Sequence, residues 1–129
     1  MEDIKNNKLP KAERLYLRDH INDLFQEGKA FIAYPYRVIY LLSEAPLMAR
    51  AEVMVSVPKK RFKRAVKRNR IKRLTREAYR LNKHGLIAAL EENNMYLRVA
   101  FTIISDDMPD YPKVEKGINK ALTKLIALL

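Results

Sequence analysis

Residues 59–83 carry 13 basic side chains and one acid, Glu77, yet Ile71, Leu74, Ala78 and Leu81 recur there at i, i+3, i+7 and i+10. Only a helical backbone gathers those four positions into one stripe. The segment must therefore lay an apolar face on a core while holding a dense cationic face away from it. At about 100° per residue, Asn69, Arg73, Arg76, Arg80 and Lys83 fall opposite the stripe. Arg68, Lys72 and Tyr79 lie to one side of that face and Arg70 to the other. His84-Gly85 reads as the helix end, and 86–92 as a further helical turn or two.

The rest of the chain is almost neutral. The net charge of +11 over 129 residues divides into +12 within 59–83 and −1 elsewhere. A charge so localised is the footprint of a polyanionic partner. With 48% apolar residues the remainder is a foldable domain of ordinary size.

Composition removes several chemistries. There is no cysteine, which excludes disulfides, thiolate metal sites and cysteine nucleophiles. The two histidines, His20 and His84, are too far apart in sequence to form a local metal motif, and no metal site is expected. With three glycines there is no glycine-rich phosphate loop and no nucleophile elbow. No apolar run reaches the roughly 20 residues that span a bilayer. A cytoplasmic protein without a membrane partner is expected.

Along the chain, residues 1–13 read as a flexible leader first tied down near Leu15, and 14–129 as one domain. A short helix runs from Asp19, its expected cap, to Gly28, with Ile21, Leu24 and Phe25 on one face. Strands follow at 29–34, 36–42 and 49–57. In the second, Val38, Tyr40 and Leu42 oppose Ile39 and Leu41; in the third, Ala51, Val53, Val55 and Val57 oppose Arg50, Glu52, Met54 and Ser56. After the basic helix comes a strand at 95–104, an acidic, proline-punctuated loop at 105–112 and a closing helix at 114–129. That helix turns Ile118, Leu122, Leu125, Ile126 and Leu129 inward. The order is α-β-β-β-α-β-α, an α+β domain with helices packed on one four-stranded sheet.

A basic run is ordinarily a solvated helix face, but this one departs from that pattern. Cations spaced i,i+3 and i,i+4 repel by a few tenths of a kcal/mol per pair, and only Glu77, within reach of Arg73 and Arg80, relieves them. Arginine dominates the run, and guanidinium binds phosphate bidentately and stacks on bases. Asn69, between Arg68 and Arg70, offers a donor and an acceptor and is expected to close off the helix start. No helix-turn-helix partner accompanies the helix, which argues against a DNA major-groove reader. The aromatics Phe25, Tyr34, Tyr36 and Tyr40 suit unpaired RNA bases, with core packing as the plain alternative.

Residues 56–80 are specific enough to carry a resemblance. A strand ending in Lys59-Lys60 leads to Arg68-Asn69-Arg70-Ile71-Lys72-Arg73, then Arg76-Glu77 and Tyr79. This run resembles the signature of the bacterial ribonuclease P protein subunit. Arg14-Leu15 and Phe25-Gln26-Glu27-Gly28 are similar to further family positions. The resemblance implies a left-handed crossover as in ribosomal-protein-like domains. It also implies the non-catalytic subunit of an endonuclease that removes the 5′ leader of precursor tRNA. Its partners would be ribonuclease P RNA and the precursor's leader, with one protein copy assumed in the ribonucleoprotein. Mg²⁺ would serve the catalytic RNA, and no cofactor would bind tightly to the protein alone.

Carried over by position, Lys59, Lys60, Arg61, Arg64, Arg68, Asn69, Arg70, Lys72, Arg73, Arg76 and Arg80 are expected on RNA. Ile21, Phe25, Tyr36 and Tyr40 are expected in a leader cleft between the first helix and the sheet. Ile21 stands where many members carry an aromatic, and Tyr34-Pro35-Tyr36 offers a substitute. Two other classes fit the charge pattern: a ribosomal or other structured-RNA-binding protein, and a membrane-surface protein that would leave the apolar stripe exposed.

Overall fold

The computed structural model describes residues 9–129. The elements are α1 (Arg18–Glu27), β1 (Lys29–Ala33), β2 (Tyr36–Ser43), β3 (Ala51–Ser56), α2 (Ala65–Asn82), α3 (His84–Glu92), β4 (Tyr96–Ile103) and α4 (Tyr111–Ala127). The sheet order is β1-β2-β4-β3. β1 and β4 each run antiparallel to β2, while β3 lies parallel beside β4. A parallel neighbour cannot be reached by a tight turn, so α2 and α3 form the crossover between β3 and β4.

Alternation in the strands sends one set of side chains to each face of the sheet. Val38, Val53, Val55, Leu97, Val99, Phe101 and Ile103 face α2, α3 and α4 and make the main core. On the opposite face, α1 covers a smaller core of Leu15, Leu24, Ile39 and Ala100, with Ile21, Leu41 and Met54 packed against it. The expected α+β architecture and the strand pattern are present, but the helix end expected at His84-Gly85 falls at Asn82 and Lys83, and His84-Gly85 opens the separate helix α3.

Several expectations need correction. Leu9 is already in the main core, followed by a 3-10 turn at Lys11–Glu13, so the chain is anchored before Leu15. Residues 1–8 of the expected leader lie outside the described residues. Asp19 does not cap α1, which begins one residue earlier after Leu17. Gly28 does end that helix, but through close approach: a Cβ there would lie 2.4 Å from the Leu24 carbonyl oxygen and 2.9 Å from that of Tyr40. The closing helix starts at Tyr111 because Asp110 caps it and Pro112 fits a first turn. Its Ile126 is exposed.

The inward face of α2 is Ile71, Thr75, Ala78 and Tyr79, while Leu74 is half-buried and Leu81 is exposed. Hydropathy could not select Thr75, whose hydroxyl is satisfied across the core by Tyr36 Oη at 2.6 Å. Tyr79 takes the place expected of Leu81, its ring 6.1 Å from that of Phe101. Half-burial also puts the cost of Leu74→Ala below the roughly 2–5 kcal/mol of a fully buried leucine. Lys83, expected on the cationic face, is instead 4% exposed and donates to Glu13 Oε1 at 2.7 Å.

Tyr36 and Tyr79 make a contrasting pair. Tyr79 Oη is buried without a hydrogen-bond partner among the described residues. Tyr79→Phe should therefore leave urea stability unchanged or raise it, whereas Tyr36→Phe strands the Thr75 hydroxyl and should cost roughly 1–3 kcal/mol. Burial pushes the Tyr36 phenol up to about 12, partly opposed by its bond to Thr75. Burial, then the charge of Glu13, raises Tyr79 as well. An unfolded phenol ionises near 10, so this contribution to stability is whole below about pH 10 and is lost as pH climbs through the folded values. In an alkaline titration the absorbance change of these two phenols should coincide with unfolding, above the ordinary phenol range.

Candidate nucleic-acid interface

β3 ends at Ser56, and the chain passes through Pro58 into an exposed Lys59-Lys60 pair. Phe62, 5% exposed, pins the following turn to the main core. Arg68, one turn into α2, reaches back to the same turn and donates from Nη1 to the carbonyls of Phe62 at 2.8 Å and Lys63 at 2.7 Å. Arg68 thus braces the entry to the helix. Arg61 is paired with Asp106 at 2.7 Å.

Because α2 begins at Ala65, Asn69 sits on its exposed second turn and does not close the helix start. The N-cap is Arg64, with no capping side chain and no acid in the first turn. The positive end of the helix dipole is therefore uncompensated and adds to the cations around it. Lys59, Lys60, Arg64, Asn69, Arg70, Arg73 and Arg76 are exposed, while Arg61, Arg68, Lys72 and Arg80 are half-buried. Arg80 is bound to Glu77, the local neutraliser. Of the expected apolar stripe, Ile71 and Ala78 are fully covered by the core, Leu74 is half-buried and Leu81 is exposed, so the stripe packs largely inward and not toward a membrane surface.

The other sheet face supplies a second surface. α1 is fastened over one end of it by Leu24 and by a polar cluster at Glu52, which is 2% exposed. Glu52 accepts from Arg98 Nε at 3.1 Å and from the Met48 amide at 3.1 Å, with His20 Nδ1 3.9 Å away. Asp23 on α1 lies 3.7 Å from Arg98. Beyond α1 the register aligns Ile32, Arg37, Thr102 and Ser56 in one row across all four strands. Ile32 and Arg37 are exposed, and Thr102 and Ser56 half-buried. Ile21 and Phe25, one turn apart, lie on the flank of α1 away from Asp23. Phe25 is 46% exposed, beside a partly open, polar-edged floor.

Two predicted cleft residues are not on this face. Tyr36 is fully buried in the main core, tied to Thr75. Tyr40 shares its side of β2, half-buried against that core, with its ring 5.7 Å from that of Phe31. Even-numbered residues of β2 point to the α2 side, whereas α1 covers the odd-numbered side. Ile21 and Phe25 are brought together as expected, and the floor belongs to Ser56, Thr102, Arg37 and Ile32. That row was missed because it exists only when β4 inserts between β2 and β3. Ser56 lies three residues before Lys59 in the chain, so the open row and α2, which packs on the opposite face of the sheet, are linked through the Lys59-Lys60 turn at the β3 edge.

No helix among the described residues is long and apolar enough to cross a membrane. Nor do three or more His, Asp or Glu side chains cluster there as a metal would need. The ribonuclease P family model matches residues 9–126. A ribonuclease P protein component of Porphyromonas gingivalis is 55% identical over 117 residues, spanning 91% of this chain and 85% of that protein. One from Chlorobaculum tepidum is 31% identical over 133 residues, spanning 95% and 86%. The solved ribonuclease P protein of Staphylococcus aureus superposes with a TM-score of 0.70 at 17% identity, covering 88% of this chain and 95% of its own. That of Thermotoga maritima gives 0.68 at 23% identity, covering 87% and 96%.

Proposed function

Because this chain belongs to the ribonuclease P protein family, we propose that it binds ribonuclease P RNA through α2 and its preceding turn, and the 5′ leader of precursor tRNA through the open row. The observation that carries this reading is the exposed arginine face of α2 with its uncompensated helix N-terminus. That face accompanies a sheet floor edged by Arg37, Thr102 and Ser56 on the other side of the sheet, to which the Lys59-Lys60 turn links it. The first suits a folded polyanion, read through phosphates. The second, with Phe25 beside it, suits an unpaired strand whose bases stack.

In this reading the polypeptide supplies no catalytic group. Mg²⁺ belongs to the RNA subunit, which performs the hydrolysis, and no cofactor binds tightly to the protein alone. One protein copy acts in the ribonucleoprotein, in the cytoplasm. The test is cleavage of precursor tRNA by a bacterial ribonuclease P RNA at low Mg²⁺. Added protein should raise the rate, while the protein alone cleaves nothing; no stimulation at any Mg²⁺ concentration would overturn the reading. A preference for ribosomal RNA fragments over the precursor and its catalytic RNA would instead favour a general structured-RNA binder.

Within the cleft, Phe25→Ala removes one stacking surface. It should reduce the preference for precursor over mature tRNA by about 5- to 150-fold, the range for one base–aromatic stack. Affinity for the RNA subunit should be unaffected. Competition binding with the two tRNAs measures the effect.

A further inference from the structure

A second cationic tract lies outside residues 59–83. Lys113, Lys116, Lys120 and Lys124 recur along α4 at i, i+3, i+7 and i+11, all exposed. The first three border a cavity of about 280 Å³, whose apolar side is Tyr34, Pro35 and Pro109. Tyr34, at the tip of the β1–β2 hairpin, is 63% exposed. Lys113, Lys116 and Lys120 have no ion pair with any described residue. The two carboxylates engaged at this end of α4 are committed elsewhere: Asp110 caps the Lys113 amide, and Glu115 accepts from Tyr111 Oη and Asn82 Nδ2.

The fold builds this junction closely. At Gly117 a Cβ would lie 2.6 Å from Pro35 Cδ and 3.0 Å from the Tyr34 carbonyl oxygen, so the hairpin tip rests directly on the helix backbone. Tyr34 is thereby held among the lysines. Like charges at this spacing cost a helix stability, and a purely structural α4 would alternate them with acids.

The tract also adjoins the open row. Lys124 Nζ donates to the Ile32 carbonyl at 2.8 Å, and Ile32 is the edge residue of that row. Tyr34 follows two residues later, about 7 Å along the strand direction. An aromatic platform among cations, at the edge of a single-strand floor, has the chemistry of a further nucleotide site.

We propose that the Tyr34 hairpin tip and the lysine face of α4 bind a second, more distal stretch of single-stranded RNA. It would continue the leader beyond the open row, with Tyr34 stacking on a base and the lysines neutralising phosphates. This rests on the leader-binding reading above.

The experiment uses the full-length protein reconstituted with ribonuclease P RNA, and two precursor tRNAs. One has a short leader that ends within the open row; the other is longer by about ten nucleotides, within the span such surfaces cover. Tyr34→Ala should weaken binding of the long-leader precursor about 5- to 150-fold, as for the loss of one stack. Lys113→Gln, Lys116→Gln and Lys120→Gln together should lower the salt dependence of that binding by about two, at roughly 0.7 per single-strand phosphate. Short-leader binding should be unchanged for both variants. Photocrosslinking from position 34 to the distal leader gives a readout in an assembled complex, independent of these truncations.

Equal losses for both leaders, or no loss for either, would overturn the proposal. So would weakened binding of the RNA subunit alone, which would assign the lysine face to that RNA. Failure of the leader-binding reading itself looks different: the wild-type protein would then fail to favour either precursor over mature tRNA.

Discussion

Replacing Arg70, Arg73 and Arg76 together by alanine is expected to weaken binding of ribonuclease P RNA by about two to three orders of magnitude, with thermal stability unchanged or slightly raised. Each guanidinium stands exposed on α2, away from its inward face of Ile71, Thr75, Ala78 and Tyr79. Hydrogen bonds to charged groups contribute roughly 1.5–3 kcal/mol. Part of each is offset by desolvation, so a three-residue loss in that range of affinity follows. Removing three like charges from neighbouring turns also relieves repulsion of a few tenths of a kcal/mol per pair. The decisive measurement is affinity against salt. If the RNA partner is helical, the slope of log K against log salt should shrink by about two to three, at roughly 0.9 per phosphate. A fall in affinity with an unchanged slope would mean the three side chains do not meet phosphates. Arg68 is left out deliberately: Arg68→Ala would cut the brace to Phe62 and Lys63 and mix folding with binding.

The opposite separation is expected from Phe101→Ala. Phe101 is fully buried at the centre of β4, with its ring 5.9 Å from that of Tyr36 and 6.1 Å from that of Tyr79. These contacts join β2, β4 and α2, so truncation opens a cavity at the place where the sheet and the cationic helix meet. Phe-to-Ala changes in such positions cost about 3–5 kcal/mol, a large part of the 5–15 kcal/mol that holds a domain of this kind together. Urea unfolding should show a midpoint lowered accordingly. RNA binding should weaken in parallel with the unfolded fraction, and saturating RNA should restore part of the lost stability by mass action. A variant of full stability that fails to bind would contradict this account of Phe101.

Local periodicity and tertiary contact leave different traces in this chain. Strand alternation in 36–42 and 51–57 was legible because burial on a pleated sheet has a period of two. The inward face of α2 was read only in part. Hydropathy chose Leu81 over Thr75 and Tyr79, because it cannot see that a hydroxyl on β2 will meet Thr75 across the core. Lys83 was counted among surface cations for a related reason: its partner, Glu13, is 70 residues away in the chain. The cleft was the least legible part. Tyr36 and Tyr40 have the right chemistry for bases, but their side of β2 is the one covered by α2 and α4.

By itself, the sequence determined that the basic segment 59–83 contains a helix with one face buried and a cationic face free, and the order of residues there identified the family. Those properties are local: periodicity, charge density and motif spacing are all carried within about 25 residues of chain. Only the tertiary structure decided which residues make the floor beside Phe25. Inserting β4 between β2 and β3 aligns Ile32, Arg37, Thr102 and Ser56, residues up to 70 positions apart, on the face that α1 leaves open. The same folding pins the hairpin tip against Gly117 and gathers the lysines of α4 around Tyr34. Surface neighbours of this kind are set by strand order and helix docking, which no single segment encodes.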